Sequence, residues 1–446
     1  MKDPAFFRHV LRLSIPLILQ QLLRISVDTV NSILLGRIDQ IQMSAVAQAN
    51  QVFFVFFTVL TGLSVGTSVL VSQYWGKKDR DSISVIVAHA LRIAFALGLT
   101  VSVCIIAFPR AFMRIYASDP MILSIGSGYL RLTAFMYAVC GVSVTLFGAS
   151  RGVEQVRLIV ITNLISYSVN ILLDWILIYG LFGLPRLGVT GIAIGTIVAR
   201  YVEFFAAAFL FLRKKEIPFS AEDLRRSDPE LRTSLIKVSL PIVAHEMVWS
   251  LGTSSGAMIT GQLGASAVAG YNVTSVLYDI CASFGNGFSG ACSVVLGMTL
   301  GTGNREKAKQ EASTIILMGL GMGIVLGIFT FAVKDLFLGL YSLDADAVMY
   351  ARQFMNIIAA VWPFSLLEMV GMIAILRAGG DGKTGFYADI VIMWMICIPL
   401  AWTAAFRLGA EPWVVVAIIK SIIVLEAIVG IIRVYQYRWL RNLTRG

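Results

Sequence analysis

The chain has 446 residues, of which 57% are apolar and 14% charged, with a formal net charge of +10. So much apolar surface exceeds what a soluble core of this length can hide, so the chain needs lipid and an ordinary soluble domain is excluded. The surplus of Lys and Arg is concentrated between apolar stretches, where membrane topology accounts for it, and no nucleic-acid partner is required.

In chain order, apolar stretches run over roughly residues 10–36, 45–75, 84–108, 125–149, 158–180, 188–212, 238–262, 267–300, 313–333, 354–376, 386–406 and 413–433. Each reaches the ~20 residues that a helix needs to cross the hydrocarbon, where backbone polar groups must be satisfied within the segment. The expected fold is an all-α integral membrane protein with twelve transmembrane helices. The one substantial polar connection, residues 213–237, separates an N-lobe at 1–212 from a C-lobe at 238–446. Placing both termini in the cytoplasm puts most of the 36 Lys and Arg residues on the inner side, as expected for a multi-pass protein of a bacterial-type inner membrane. No cleavable signal follows the short N-terminus, so the first span is expected to remain as an anchor. Pro16, Pro241, Pro363 and Pro399 fall inside spans, where each permits a static kink or a hinge. The five cysteines lie in spans without metal-ligand spacing and read as packing residues.

The two halves are copies of one design. Ser14 and Pro16 recur as Ser239 and Pro241, Gly62 as Gly287, Gly76 as Gly301, Arg80 as Arg305 and Asp119 as Asp344, all at an offset of 225. From Arg151 and Arg377 onward the offset is 226. Six spans per copy is an even number, so both copies enter the membrane in the same sense and the pseudo-twofold axis lies along the membrane normal. Asp28 faces Thr253 in this register and Glu246 faces Gln21, so those acids are additions to the shared scaffold.

Three strings imitate enzyme motifs. Gly148-Ala149-Ser150-Arg151-Gly152 spells a nucleophile elbow but closes a membrane span, and Gly285-Asn286-Gly287-Phe288-Ser289-Gly290 spells a dinucleotide fingerprint inside an apolar helix. His245-Glu246 is followed by Trp249 where a zinc peptidase needs its second His. None supports catalysis, so no enzyme is expected. Gly319, Gly323 and Gly327, four residues apart, read as sites of close helix approach.

Buried charge is the functional signal, because an acid at the bilayer centre costs about 2.5–3.5 kcal/mol on the insertion scale. Counting about 1.5 Å per residue puts Asp28 about 12 Å, Asp174 about 9 Å and Thr196 about 12 Å below the outer ends of the first, fifth and sixth spans. Asn170 lies one turn from Asp174 and shares its face. These oxygens suit a hard cation such as Na+, a proton shared between carboxylates, or simple hydrogen bonds that tie three helices together. Arg24, one turn before Asp28, is placed to neutralise it, which weakens the case for sodium. In the other lobe, Glu246 and Glu368 each fall about 12 Å from the cytoplasmic side, with Asp279 nearer the middle. Trp249 and Tyr278 lie close by in sequence, a set suited to an amphipathic cation or else to separate satisfied polar groups. Arg200 with Glu203 reads as a local pair, and Lys420 with Glu426 shows no convergence.

The chain resembles the multidrug and toxic compound extrusion (MATE) family over essentially its whole length. The features that carry the resemblance are the Ser-x-Pro opening of each lobe, Val27-Asp28-Thr29, the glycine pattern from Gly62 to Gly76 with its Gly301 echo, Arg151, and Arg377-Ala378-Gly379-Gly380-Asp381. The resemblance implies a V-shaped pair of six-helix bundles that rock to export organic cations and drugs in exchange for sodium or protons. It implies a small-molecule substrate, a lipid environment, no cofactor and a monomer. It also places Asp28, Asn170, Asp174 and Thr196 at the N-lobe cation or proton site. A lipid or natural-product exporter is the alternative, and a membrane enzyme the alternative from another class.

Overall fold

The computed structural model describes residues 4–35, 40–183, 185–213, 216–220 and 222–445, without the side chains of residues 28 and 31–35. Among the described residues, twelve helices are long and apolar enough to cross a membrane. They are α1 (Pro4–Leu35), α2 (Gln40–Lys77), α3 (Arg80–Ala107), α4 (Pro120–Gly152), α5 (Val156–Tyr179) and α6 (Val189–Arg213), then α7 (Pro229–Thr260), α8 (Ala265–Gly301), α9 (Arg305–Leu338), α10 (Ala345–Leu376), α11 (Gly382–Phe406) and α12 (Pro412–Tyr435). A single 3-10 turn, Ala134–Met136, interrupts α4. The last part of α10, Met369–Leu376, and the middle of α11, Asp389–Cys397, are π-helical.

The repeat has a local physical cause at the helix starts. Asp79 and Asn304, 225 residues apart, both cap the following helix, accepting from the backbone N–H of Ser82 and of Lys307 at 3.0 Å. Asp119 and Asp344 do the same for α4 and α10, accepting from the N–H groups of Met121 and Ala347. Each cap satisfies a donor that the helix itself cannot, worth about 1 kcal/mol.

The chain folds as two compact units, one comprising Leu19–Val243 and the other Met1–Ile18 with Ala244–Gly446. The breaks fall two residues after Pro16 and Pro241, at equivalent points of the repeat. Glycines explain why the first part of each lobe-opening helix joins the other half of the sequence. A Cβ at Gly62 of α2 would lie 2.6 Å from Val243 Cα, and one at Gly66 would lie 2.7 Å from Ser239 Cα. In the other unit, a Cβ at Gly287 of α8 would lie 2.6 Å from the backbone nitrogen of Ile18 in α1. Such approach is available only without a side chain. Gly62→Leu and Gly287→Leu are each expected to cost about 3 kcal/mol, the upper part of the overpacking range, because backbone atoms block relief. A lowered unfolding temperature checks this, and an unchanged one contradicts it.

The enzyme-like strings resolve the same way. Gly148 and Gly152 abut Ser64 and Val71 of α2, and Gly285 abuts Met369. Gly319, Gly323 and Gly327 abut Val370, Pro363 and Ala359 of α10.

The polar connection is fastened to α3 within its own unit. Arg226 donates to both carboxylate oxygens of Asp81 at 2.7 and 2.8 Å and pairs with Asp223 at 3.1 Å. Arg92 donates to the Arg226 carbonyl at 2.7 Å, and the Asp228 N–H donates to His89 Nε2 at 3.2 Å. Burial works against the Asp223 carboxylate, yet hydrogen bonds from Ser220 and Arg226 hold it below the usual range.

Candidate functional site

The first polar cluster lies in the Leu19–Val243 unit. Asn170 and Asp174, one turn apart on α5, are both buried, and Asn170 Nδ2 donates to Asp174 Oδ2 at 3.1 Å. Asp174 Oδ1 has no hydrogen-bond partner among the described residues. Helix α6 reaches this carboxylate at Gly195, where a Cβ would stand 2.0 Å from Oδ1. Gly195 therefore admits the acid, and Thr196, its neighbour, brings a half-buried hydroxyl beside it. Tyr129 of α4 completes the cluster. It hydrogen-bonds Thr196, lies in the field of Asp174, and donates to Asn50 Oδ1 of α2 at 3.3 Å. Asn170, Asp174 and Thr196 are thus brought together, whereas the Asp28 side chain lies outside the described residues. Arg24 is exposed. Further along α6, Arg200 pairs with the buried Glu203 at 2.7 Å.

Tyr129 and Asn50 were not evident from the sequence. Neither helix carries an acid to draw attention, and only folding shows that α4 presents a tyrosine hydroxyl to Thr196. The donor set is one carboxylate with amide, hydroxyl and phenol oxygens, chemistry that fits a proton or a hard monovalent cation. Among the described residues, Asp174 has no Lys or Arg partner.

The second cluster lies in the other unit and is larger than the sequence shows. Glu246 of α7 accepts from Arg377 Nη1 at 2.8 Å, with Arg377 only 4% exposed. Glu368 of α10 sits in the fields of His245, Arg377, Asp389 and Glu246. His245 Nδ1 lies 3.1 Å from Asp389 Oδ2, and Asp389 faces Glu426 of α12. Four acids and two bases from α7, α10, α11 and α12 therefore gather in one place. The His245-Glu246 dipeptide, metal-binding only in spelling, supplies two of them. No group of three metal-ligating His, Cys, Asp or Glu side chains occurs among the described residues.

Asp279, Tyr278 and Trp249 are arranged differently. Lys420 Nζ stands 4.1 Å above the Tyr278 ring and in the field of Asp279, while Trp362 stacks on Tyr278 at 5.1 Å and 20°. Tyr278 therefore already engages an amine and an indole. Trp249, three residues after Glu246, leaves 46% of its surface exposed. Lys420 and Glu426, which showed no convergence in sequence, each have partners, Lys420 beside Tyr278 and Glu426 beside Asp389.

The MatE family model matches residues 16–176 and 241–403. The chain belongs to the MATE family. It is a multi-pass membrane transporter with a small-molecule substrate, not an enzyme. The probable multidrug resistance protein NorM of Agrobacterium fabrum is 25% identical over 422 residues, covering 91% of this chain and 88% of that protein. The multidrug resistance protein MdtK of Yersinia enterocolitica is 24% identical over 449 residues, covering 98% and 96%. Among solved structures, an outward-facing multidrug resistance MATE transporter of the MOP superfamily aligns with a TM-score of 0.86 at 18% identity, over 96% of this chain and 95% of that one. A MOP superfamily transporter from Pyrococcus furiosus, described as having a binding pocket of reverse polarity, aligns with a TM-score of 0.82 at 19% identity over the same shares. These likenesses support the all-α, twelve-span fold expected of the sequence.

Proposed function

We propose that this MATE transporter is a multidrug efflux antiporter that exports small amphipathic organic cations in exchange for an inward-moving proton or sodium ion. The observation that carries the reading is Asp174, a carboxylate 2% exposed in a membrane span, with one oxygen bonded to a neutral amide and the other unpartnered among the described residues. A buried charge left in that state is expensive, and binding a small cation removes the cost. Asn170 and Thr196 supply further oxygens, and Asp28 joins them by its depth in the first span. Glu368 and Glu246 draw the cationic substrate from the cytoplasmic side, with Asp279, Trp249 and Tyr278 flanking them. Names of relatives as multidrug resistance proteins support export of drugs.

Exchange requires the polar sites to open alternately to the two sides, and the two six-helix lobes move to achieve this. The transporter works as a monomer in a bacterial-type inner membrane with both termini in the cytoplasm, and the ion gradient supplies the energy without a cofactor. The test is substrate flux in proteoliposomes under an imposed proton gradient and then an imposed sodium gradient. One of the two is expected to drive uphill substrate movement. Failure of both to do so contradicts the reading.

A further inference from the structure

We propose that Asp389 of α11 and Glu426 of α12, with His245 of α7 against Asp389, form a second buried site that holds a proton, distinct from the cluster around Asp174. The inference rests on the exchange reading above and adds a second titrating centre to it.

Asp389 and Glu426 are 0% and 5% exposed. The two carboxyl groups face each other in hydrogen-bonding contact. Two carboxylates cannot make that bond, because neither has a hydrogen to donate. The contact closes only when one of them carries a proton, and in the ionised form both Asp389 oxygens and Glu426 Oε1 stand buried without a hydrogen-bond partner. Desolvated like charges at such range are mutually costly, so a shared proton is the natural occupant.

The surroundings leave the pair short of positive charge. His245 Nδ1 lies 3.1 Å from Asp389 Oδ2, and α11 admits its ring at Gly385, one turn earlier, where a Cβ would stand 2.8 Å from Nδ1. Glu368 of α10 faces both acids, and the Cys397 thiol of α11 lies near Glu426. Arg377 acts in this cluster, but its direct ion pair is with Glu246. No arginine or lysine pairs with Asp389 or Glu426 among the described residues.

Two further observations set the pair apart from ordinary scaffold. At the offset of 226, Asp389 corresponds to Asn163, so this acid is an addition to the shared scaffold. The starts of α6 and α12, Val189 and Pro412, place Glu426 opposite Glu203, whose charge is paired with Arg200, whereas the position of that arginine in α12 is Ile423. The π-helical turn of α11 also begins at Asp389. Widened turns of this kind occur often at functional positions, because they break the regular backbone and re-aim the side chains that follow. Loss of the proton opens the α11–α12 contact where the backbone is least regular, so occupancy and helix packing are linked.

Infrared difference spectroscopy of the purified protein in lipid, recorded through a pH titration, reads protonated carboxyl groups by their carbonyl stretch. The wild type is expected to show a titrating buried-carboxyl signal that is lost in both Asp389→Asn and Glu426→Gln. Glu426→Gln keeps a donor for Asp389 and thus the contact, so a structural hydrogen bond alone does not predict the loss. If one variant fails to fold, the other decides. Asp174→Asn is expected to retain the signal. Full retention in Asp389→Asn or in Glu426→Gln overturns the proposal, as does displacement of the signal by sodium at constant pH. Failure of the exchange reading is separable: it appears as absent gradient-driven flux while the infrared signal persists.

Discussion

Asp174→Asn is expected to abolish gradient-driven efflux while leaving folded protein in the membrane. The substitution preserves shape, and the new amide can still pair with Asn170, so the packing of Gly195 against this position survives. What disappears is the one negative charge described in the cluster, and with it the reason for a cation to bind. At one-for-one exchange, a tenfold cation gradient is worth about 1.4 kcal/mol and sustains a tenfold opposing substrate gradient. The variant is expected to hold a ratio near one. Accumulation equal to that of the wild type would remove Asp174 from the coupling mechanism.

The second large effect concerns Arg377. Its guanidinium is buried, donates to Glu246, and lies in the field of Glu368. Arg377→Ala leaves a cluster of four acids with one histidine. Breaking a buried pair by removing one partner costs about 3–5 kcal/mol, because the other charge stays behind. Glu246 is 21% exposed, so the lower end of that range is expected. Thermal unfolding of the purified variant measures it. Arg377→Ala with Glu246→Gln should recover much of the loss, and a double variant no more stable than Arg377→Ala alone would show that the pair is not the cause.

The sequence was most legible where one helix sufficed. Asn170 and Asp174 share a face because they are one turn apart, and depth counting put Thr196 at their level without any tertiary information. Asp79, Asn304, Asp119 and Asp344 were visible as repeat partners, though their capping role appeared only in the hydrogen bonds. Legibility failed where three or four helices meet. Asp389 stands near the polar start of α11 and drew no attention, and Glu426 looked isolated because its partner is 37 residues away on another helix. The π-helical turns contribute to this. An added residue per turn shifts every later side chain, so regular helical periodicity misplaces positions beyond it. The exchange of helix starts between the two units was equally hidden, since it depends on Gly62 and Gly287 admitting backbone rather than on any apolar pattern.

Antiport requires each partner to move the other, so the central claim is tested most directly in the reverse direction. Proteoliposomes carrying a transported cationic dye receive a dye gradient and no ion gradient, and cation movement is followed by an internal pH or sodium indicator. Dye flux is expected to drive cation flux the opposite way in the wild type and not in Asp174→Asn. Dissipation of the dye gradient by the wild type with no cation movement would contradict the account.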